Sequence, residues 1–223
     1  MKLGSILRGL VSVCLFVQGV WAAPITGTGG DPLTDPALSG GVQNGFETGP
    51  ALGSYSSFSD GFVTYSGVGG NIRVDSQYAG QYNGRDAFYL QNDAGLTNGW
   101  RFDFANPVSA FAFNWGAASS TWILTAFDSS DSILETLNLP AYGGSNAGEF
   151  LGISASGISY ATLTGSVVGD HVFVDNFTYR SSASVSSVPE LDANAAALPV
   201  ALGLTILALA SDRRRRVAPA VTV

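Results

Sequence analysis

The sequence predicts an all-β fold, a two-sheet β-sandwich of jelly-roll type, and three observations predict it. Short segments with period-two alternation recur from Val42 onward, separated by turn clusters. No apolar pattern of helical period appears between Val42 and Arg180. The chain holds 28 Gly and only 12% charged residues. Its middle is heavy in Ser, Thr, Asn and aromatics, a mixture that favours short strands and tight turns.

Residues 1–23 open with Lys2 and Arg8, run apolar from Leu10 to Val20 and end in Ala22 and Ala23. That order of basic start, apolar stretch and small-residue exit reads as a secretory signal peptide. Its removal takes away Cys14, the only cysteine, so the exported chain has no thiol chemistry and no disulfide. Residues 24–41, PITGTGGDPLTDPALSGG, are rich in breakers and are expected to form a flexible segment ahead of an ectodomain at 42–180.

Within the ectodomain, strand candidates come in order at Gly61–Tyr65, Ile72–Ser76 and Ala87–Asn92. In NGWRFDFANP, Trp100, Phe102 and Phe104 share one face while Arg101 and Asp103 share the other. VSAFAFNWG repeats the pattern with Phe111, Phe113 and Trp115. STWILTAFDSSDSILETLNL reads as a hairpin turning at Asp128-Ser129-Ser130-Asp131. Gly148–Ser154, Ile158–Thr164 and Val172–Tyr179 complete the set. Thirteen Phe, eight Tyr and four Trp can fill the space between two sheets. No repeat of fixed spacing appears, which argues against a propeller or β-helix.

Beyond the ectodomain lie a Ser-rich linker at 181–187 and the stretch VPELDANAAALPVALGLTILALASDRRRR at 188–216, then a tail at 217–223. Ala195–Ala210 carries no charge, but it is shorter than the ~20 residues a bilayer core requires. Arg213, Arg214, Arg215 and Arg216 follow and orient such a span with the arginines in the cytoplasm.

A linker, the motif Val188-Pro189-Glu190, a marginal apolar helix and an arginine cluster, in that order, resemble the PEP-CTERM sorting signal of Gram-negative bacteria. With Leu191 and Asp192 after the motif, it is similar to the Val-Pro-Glu-Ile-Asp variant. The resemblance implies processing by an exosortase, a transient membrane helix, and delivery to the cell surface or an exopolysaccharide-rich matrix. The ectodomain loosely resembles jelly-roll ectodomains of such proteins and carbohydrate-binding modules, at Gly45-Phe46-Glu47, Val108–Phe113 and Val174-Asp175-Asn176-Phe177.

Between Pro24 and Ser187 four arginines face fourteen carboxylates, a net charge of −10. So acidic a surface, with no basic patch, excludes nucleic acid as a partner. His171 is the only histidine, and no Gly-x-Ser-x-Gly elbow accompanies it, so it reads as a loop residue rather than a catalytic one. Glu47, Glu135 and Glu149 could serve glycoside hydrolysis by number alone, but nothing in the sequence pairs them. The chain is read as no enzyme.

Calcium is the better use for such oxygens. In the sugar-binding modules that the ectodomain resembles, the first and last strands often share a structural calcium. Here that implies Glu47 and Asp175 as ligands, with Asp60 as a neighbour. Asp175 also shares an alternation face with Phe173 and Phe177, so it must be paired, coordinated or swung out by a bulge. Aromatics can stack on sugar rings. Trp100, Trp115 and Trp122 read as core, while Tyr78, Tyr82 and Tyr142 sit in polar Gly-rich loops and are the candidate saccharide contacts. The main expectation is a structural or adhesive surface protein. The alternative is a carbohydrate-binding module for exopolysaccharide, and the third reading is a secreted glycan-active enzyme.

Overall fold

In the computed structural model, residues 21–92, 99–167 and 169–182 are described. The expected signal peptide lies outside them up to residue 20, as do nearly all of the linker, the sorting signal and the tail. Among the described residues no helix is long and apolar enough to cross a membrane.

Two strands organise the molecule, β8 (Gly99–Gly116) and β11 (Phe150–Gly165). Each spans two of the segments that the sequence suggests as separate strands. Pro107 and Gly157, which look like breaks, sit instead where the strands bend. Register shifts mark β11 between Ser154 and Tyr160, and Gly157 takes a φ of 78° there. A bulge re-aims a strand without ending it. Phe102 and Phe113, both on β8, consequently lie with ring centroids 5.8 Å apart. In a straight strand, eleven residues at ~3.3 Å each would hold them about 36 Å apart.

Bending divides the neighbours into two layers. The first half of β8 and the second half of β11 pair with each other, and β5 (Val63–Gly67) and β9 (Trp122–Phe127) flank them. Outside these lie β4 (Ser57–Ser59) and β10 (Ile133–Leu139). The other halves form the second layer, with β1 (Ala23–Gly27) beside β11 and β12 (Phe173–Ser181) beside β8. On the far side of β12 come β2 (Val42–Asn44) and β7 (Tyr89–Asn92), then β6 (Ile72–Asp75) and β3 (Gly53–Tyr55). All these pairings are antiparallel. The two layers expected from the sequence are therefore the two ends of one twelve-stranded sheet.

Alternating aromatics face inward and meet between the layers. Phe102 lies 5.0 Å from Phe177, Tyr65 5.3 Å from Phe177, and Trp115 5.9 Å from Trp122. Trp100, Trp115 and Trp122 are all fully buried, as core residues should be. The Asp128–Asp131 hairpin turn forms as read, with Asp128 Oδ1 accepting from the amides of Ser130 and Ser132.

The N-terminal segment departs from expectation. Residues 24–41 are ordered rather than flexible. β1 adds to the edge of β11, in register from Ala23↔Ser154 to Gly27↔Phe150. The breakers then serve two short 3-10 turns, Pro32–Thr34 and Pro36–Leu38, each with Pro at its first position. Asp31 and Asp35 cap them, accepting from Leu33 N at 2.9 Å and Ala37 N at 2.8 Å. Ile25 and Leu38 are buried against Ala110, Ala112 and Phe150.

Candidate functional site

Two of the three tyrosines singled out from the sequence converge. Tyr78 and Tyr82 lie on the loop between β6 and β7, with ring centroids 5.7 Å apart and planes nearly perpendicular. Phe173, at the start of β12, supports both at 6.0 and 6.1 Å and rests on Tyr89 at 4.3 Å. Tyr78, Tyr82 and Phe173 line an open cleft of about 280 Å³ together with Ala117, Gly143 and His171. Phe173 is buried, whereas Tyr78 is 39% exposed and presents ring surface to solvent. Tyr142 does not join them. It packs against the core, and burial, followed by the charge of Glu149, raises the pKa of its hydroxyl. The backbone of Gly143 lines the cleft in its place.

The loop is held in a demanding conformation. Tyr82 and Asn83 are consecutive residues with φ of 51° and 63°, a region that costs a non-glycine residue roughly 1–2 kcal/mol. Asn83 offsets that cost. Its Nδ2 donates to Trp115 O at 2.8 Å and Glu149 Oε2 at 2.7 Å, and its Oδ1 accepts from Gly148 N at 2.8 Å. Asn146 Oδ1 accepts from the Asn83 amide and Asn146 Nδ2 donates to Gly80 O, so the tyrosine loop and the Gly143 loop are tied together. Gly116 permits the approach, since a Cβ there would overlap the Tyr82 carbonyl. Burial of Glu149 opposes ionisation, but hydrogen bonds from Ser145, Asn83 and nearby amides outweigh it and hold its pKa below the usual range.

His171 is an exposed residue on the rim, between two anchored neighbours. Asn92 Nδ2 donates to Asp170 O, and Asn92 Oδ1 accepts from Val172 N at 2.9 Å. Asp170 itself turns inward and accepts from Ser119 N, Ser120 N and Oγ, and Trp122 Nε1. Burial works against its charge, but these donors prevail and lower its pKa. Asp170 thus braces the loop after β8, including Ala117.

The acids proposed as calcium ligands meet on one short segment. Asp175 Oδ2 accepts from the amides of Arg85 at 2.6 Å and Asp86 at 3.1 Å, and its Oδ1 from Asn176 N at 2.7 Å. Glu47 Oε1 accepts from Phe88 N at 3.2 Å. Of the three outcomes left open for Asp175, a bulge is present, with Asn176 at a φ of 47° and a register shift before Thr178. Burial pushes the Asp175 carboxyl up to about 7, against the three amides that favour its charge. Among the described residues no group of three or more His, Cys, Asp or Glu is placed to hold a metal ion. Glu47 shares a second cleft, of about 660 Å³, with Asp60 and Tyr179. That cleft is larger but offers less to a ring. Phe62 already covers the Tyr179 face at 4.4 Å, and Asp60 already accepts from Asn44, Phe62, Val63 and Tyr65.

Phe173, Gly143 and the braces Asn83 and Asp170 were not singled out from the sequence as parts of a site, and Glu149 only as a carboxylate that could serve glycoside hydrolysis. Only the alternation that puts Phe173 with the other strand aromatics hinted at one of them.

No family model and no curated protein matches the chain. Among solved structures, the lectin domain of lectinolysin complexed with Lewis B antigen is 10% identical, with a TM-score of 0.35, over 50% of this chain and 92% of its own. TmCBM61 in complex with β-1,4-galactotriose is 15% identical, with a TM-score of 0.37, over 61% and 94%. The K2 cleaved adhesin domain of Lys-gingipain is 8% identical, with a TM-score of 0.37, over 62% and 98%. Likeness at this level carries no argument about what this chain binds.

Proposed function

We propose that the chain is a non-catalytic, carbohydrate-binding β-sandwich of jelly-roll type that adheres to exopolysaccharide. The observation that supports this best is the cleft itself. Two tyrosines on a braced loop stand over a buried Phe173, leaving aromatic surface open beside an exposed imidazole and the backbone of Ala117 and Gly143. Flat CH-bearing faces of sugar rings stack on such surfaces, and hydroxyls at the rim bond to the polar groups. The terminal segments supply the proposed address, with export by the signal peptide and sorting to the surface or matrix after exosortase removes the tail beyond Val188-Pro189-Glu190.

The test is binding of the purified full chain to soluble polysaccharides, measured by affinity electrophoresis, beside the Tyr78→Ala/Tyr82→Ala variant. Retardation by at least one polymer is expected, and the variant should lose it by about tenfold, which is ~1.4 kcal/mol. Equal retardation of both chains would defeat the reading.

A structural calcium at Glu47 and Asp175 belongs to the same proposal. Support comes from the two acids, distant in sequence, ending on one segment at 85–88. Thermal unfolding should then shift upward with added calcium and downward with chelator. An unmoved Tm would leave the amide hydrogen bonds as the whole account of both carboxylates.

A further inference from the structure

We infer that this cleft takes an uncharged sugar ring and excludes glycans built of uronic acids, an inference that rests on the saccharide reading above. Its lining contains no Arg, Lys, Asp or Glu side chain. The groups available to a ligand are the Tyr78 and Tyr82 rings and hydroxyls, the His171 imidazole, and backbone at Ala117 and Gly143.

Carboxylates stand directly behind this wall. Asp170 adjoins His171, and Glu149 braces Asn83 next to Tyr82. Both are held ionised below the usual carboxylate range. Burial raises the pKa of the hydroxyl of Tyr89, the ring beneath Phe173, and the charge of Asp75 adds to that rise.

Among the described residues no arginine or lysine lines the cleft to answer them. The described residues include four arginines and no lysine. Arg73 is committed to Asp75 at 2.9 Å and Arg101 to Asp103 at 2.7 Å. The Arg85 side chain packs over Gly30. Arg180 is seven residues along β12 from Phe173, roughly 23 Å at strand spacing.

A uronate entering the cleft would shed water beside like charges without gaining an arginine or lysine to pair with. The net charge of −10 over the exported region would already slow the approach of a polyanion. A neutral ring meets neither penalty.

The experiment measures affinity of the full chain for matched soluble pairs: mannan with polymannuronate, galactan with polygalacturonate, and β-glucan with polyglucuronate. In the pair that binds, the neutral polymer should be held at least about tenfold more tightly, with the gap narrowing as salt screens the repulsion. A uronate polymer held as tightly as its neutral counterpart overturns the inference and leaves the saccharide reading standing. Neutral binding that survives Tyr78→Ala/Tyr82→Ala places the sugar elsewhere and also overturns it. If no member of any pair binds, the saccharide reading falls and this inference falls with it.

Discussion

Asp175 carries a conflict that fixes how the protein responds to pH. Three amides address its oxygens, yet it has no solvent exposure, and burial raises its carboxyl from 3.8 to about 7. A folded-state value above the unfolded one stabilises the fold fully below the unfolded value. That contribution disappears as pH rises through the folded value. The window is therefore pH 4 to 7, and a three-unit shift corresponds to on the order of 4 kcal/mol. The Tm should fall between pH 5 and pH 8. Asp175→Asn should flatten that slope at a lower Tm throughout, because a carboxamide offers one acceptor oxygen to three donors. A Tm that climbs across this window would contradict the assignment. Asp170 and Glu149, with lowered values, act in the opposite sense and lose their contribution only in more acid solution. Tyr78 and Tyr82 were legible at this scale, since aromatics in polar Gly-rich loops stand out. Their partners were not, because Phe173 and Gly143 reach them only through chain topology.

Strands and turns followed the sequence closely where the period-two pattern was clear, as in β6 and β9. The misreadings came from residues with two uses. Pro107 and Gly157 mark breaks in most strands, yet here they lie where a strand bends, so four expected elements became β8 and β11. Likewise Pro32 and Pro36 begin 3-10 turns instead of signalling a flexible segment. The pairing of β1 with β11 could not be read locally, since its partner lies more than a hundred residues along the chain. This element gives its own prediction. Ile25 is 3% exposed and packs with Leu38 and Phe150, so Ile25→Ala should cost about 2–4 kcal/mol in chemical denaturation. A loss below half a kcal/mol would mean that β1 is not integral to the fold.

Across the whole molecule, β8 and β11 belong to both layers, and neither layer can lose them while the other stays intact. The Trp115–Trp122 contact spans the same interface. Unfolding should accordingly be one transition, with tryptophan fluorescence and far-ultraviolet circular dichroism coinciding. Separated midpoints would show that the layers melt independently. The place of β12 has a mechanical side. It pairs with β8 along one edge from Phe173 to Ser181, and along the other with β7 at Phe173–Val174 and with β2 at Phe177–Tyr179. Tension applied through Ser182 runs along that strand, so it loads both rows of bonds together in shear instead of opening them one by one. Force applied at Ser182 along the strand would meet the stiffest resistance the domain offers.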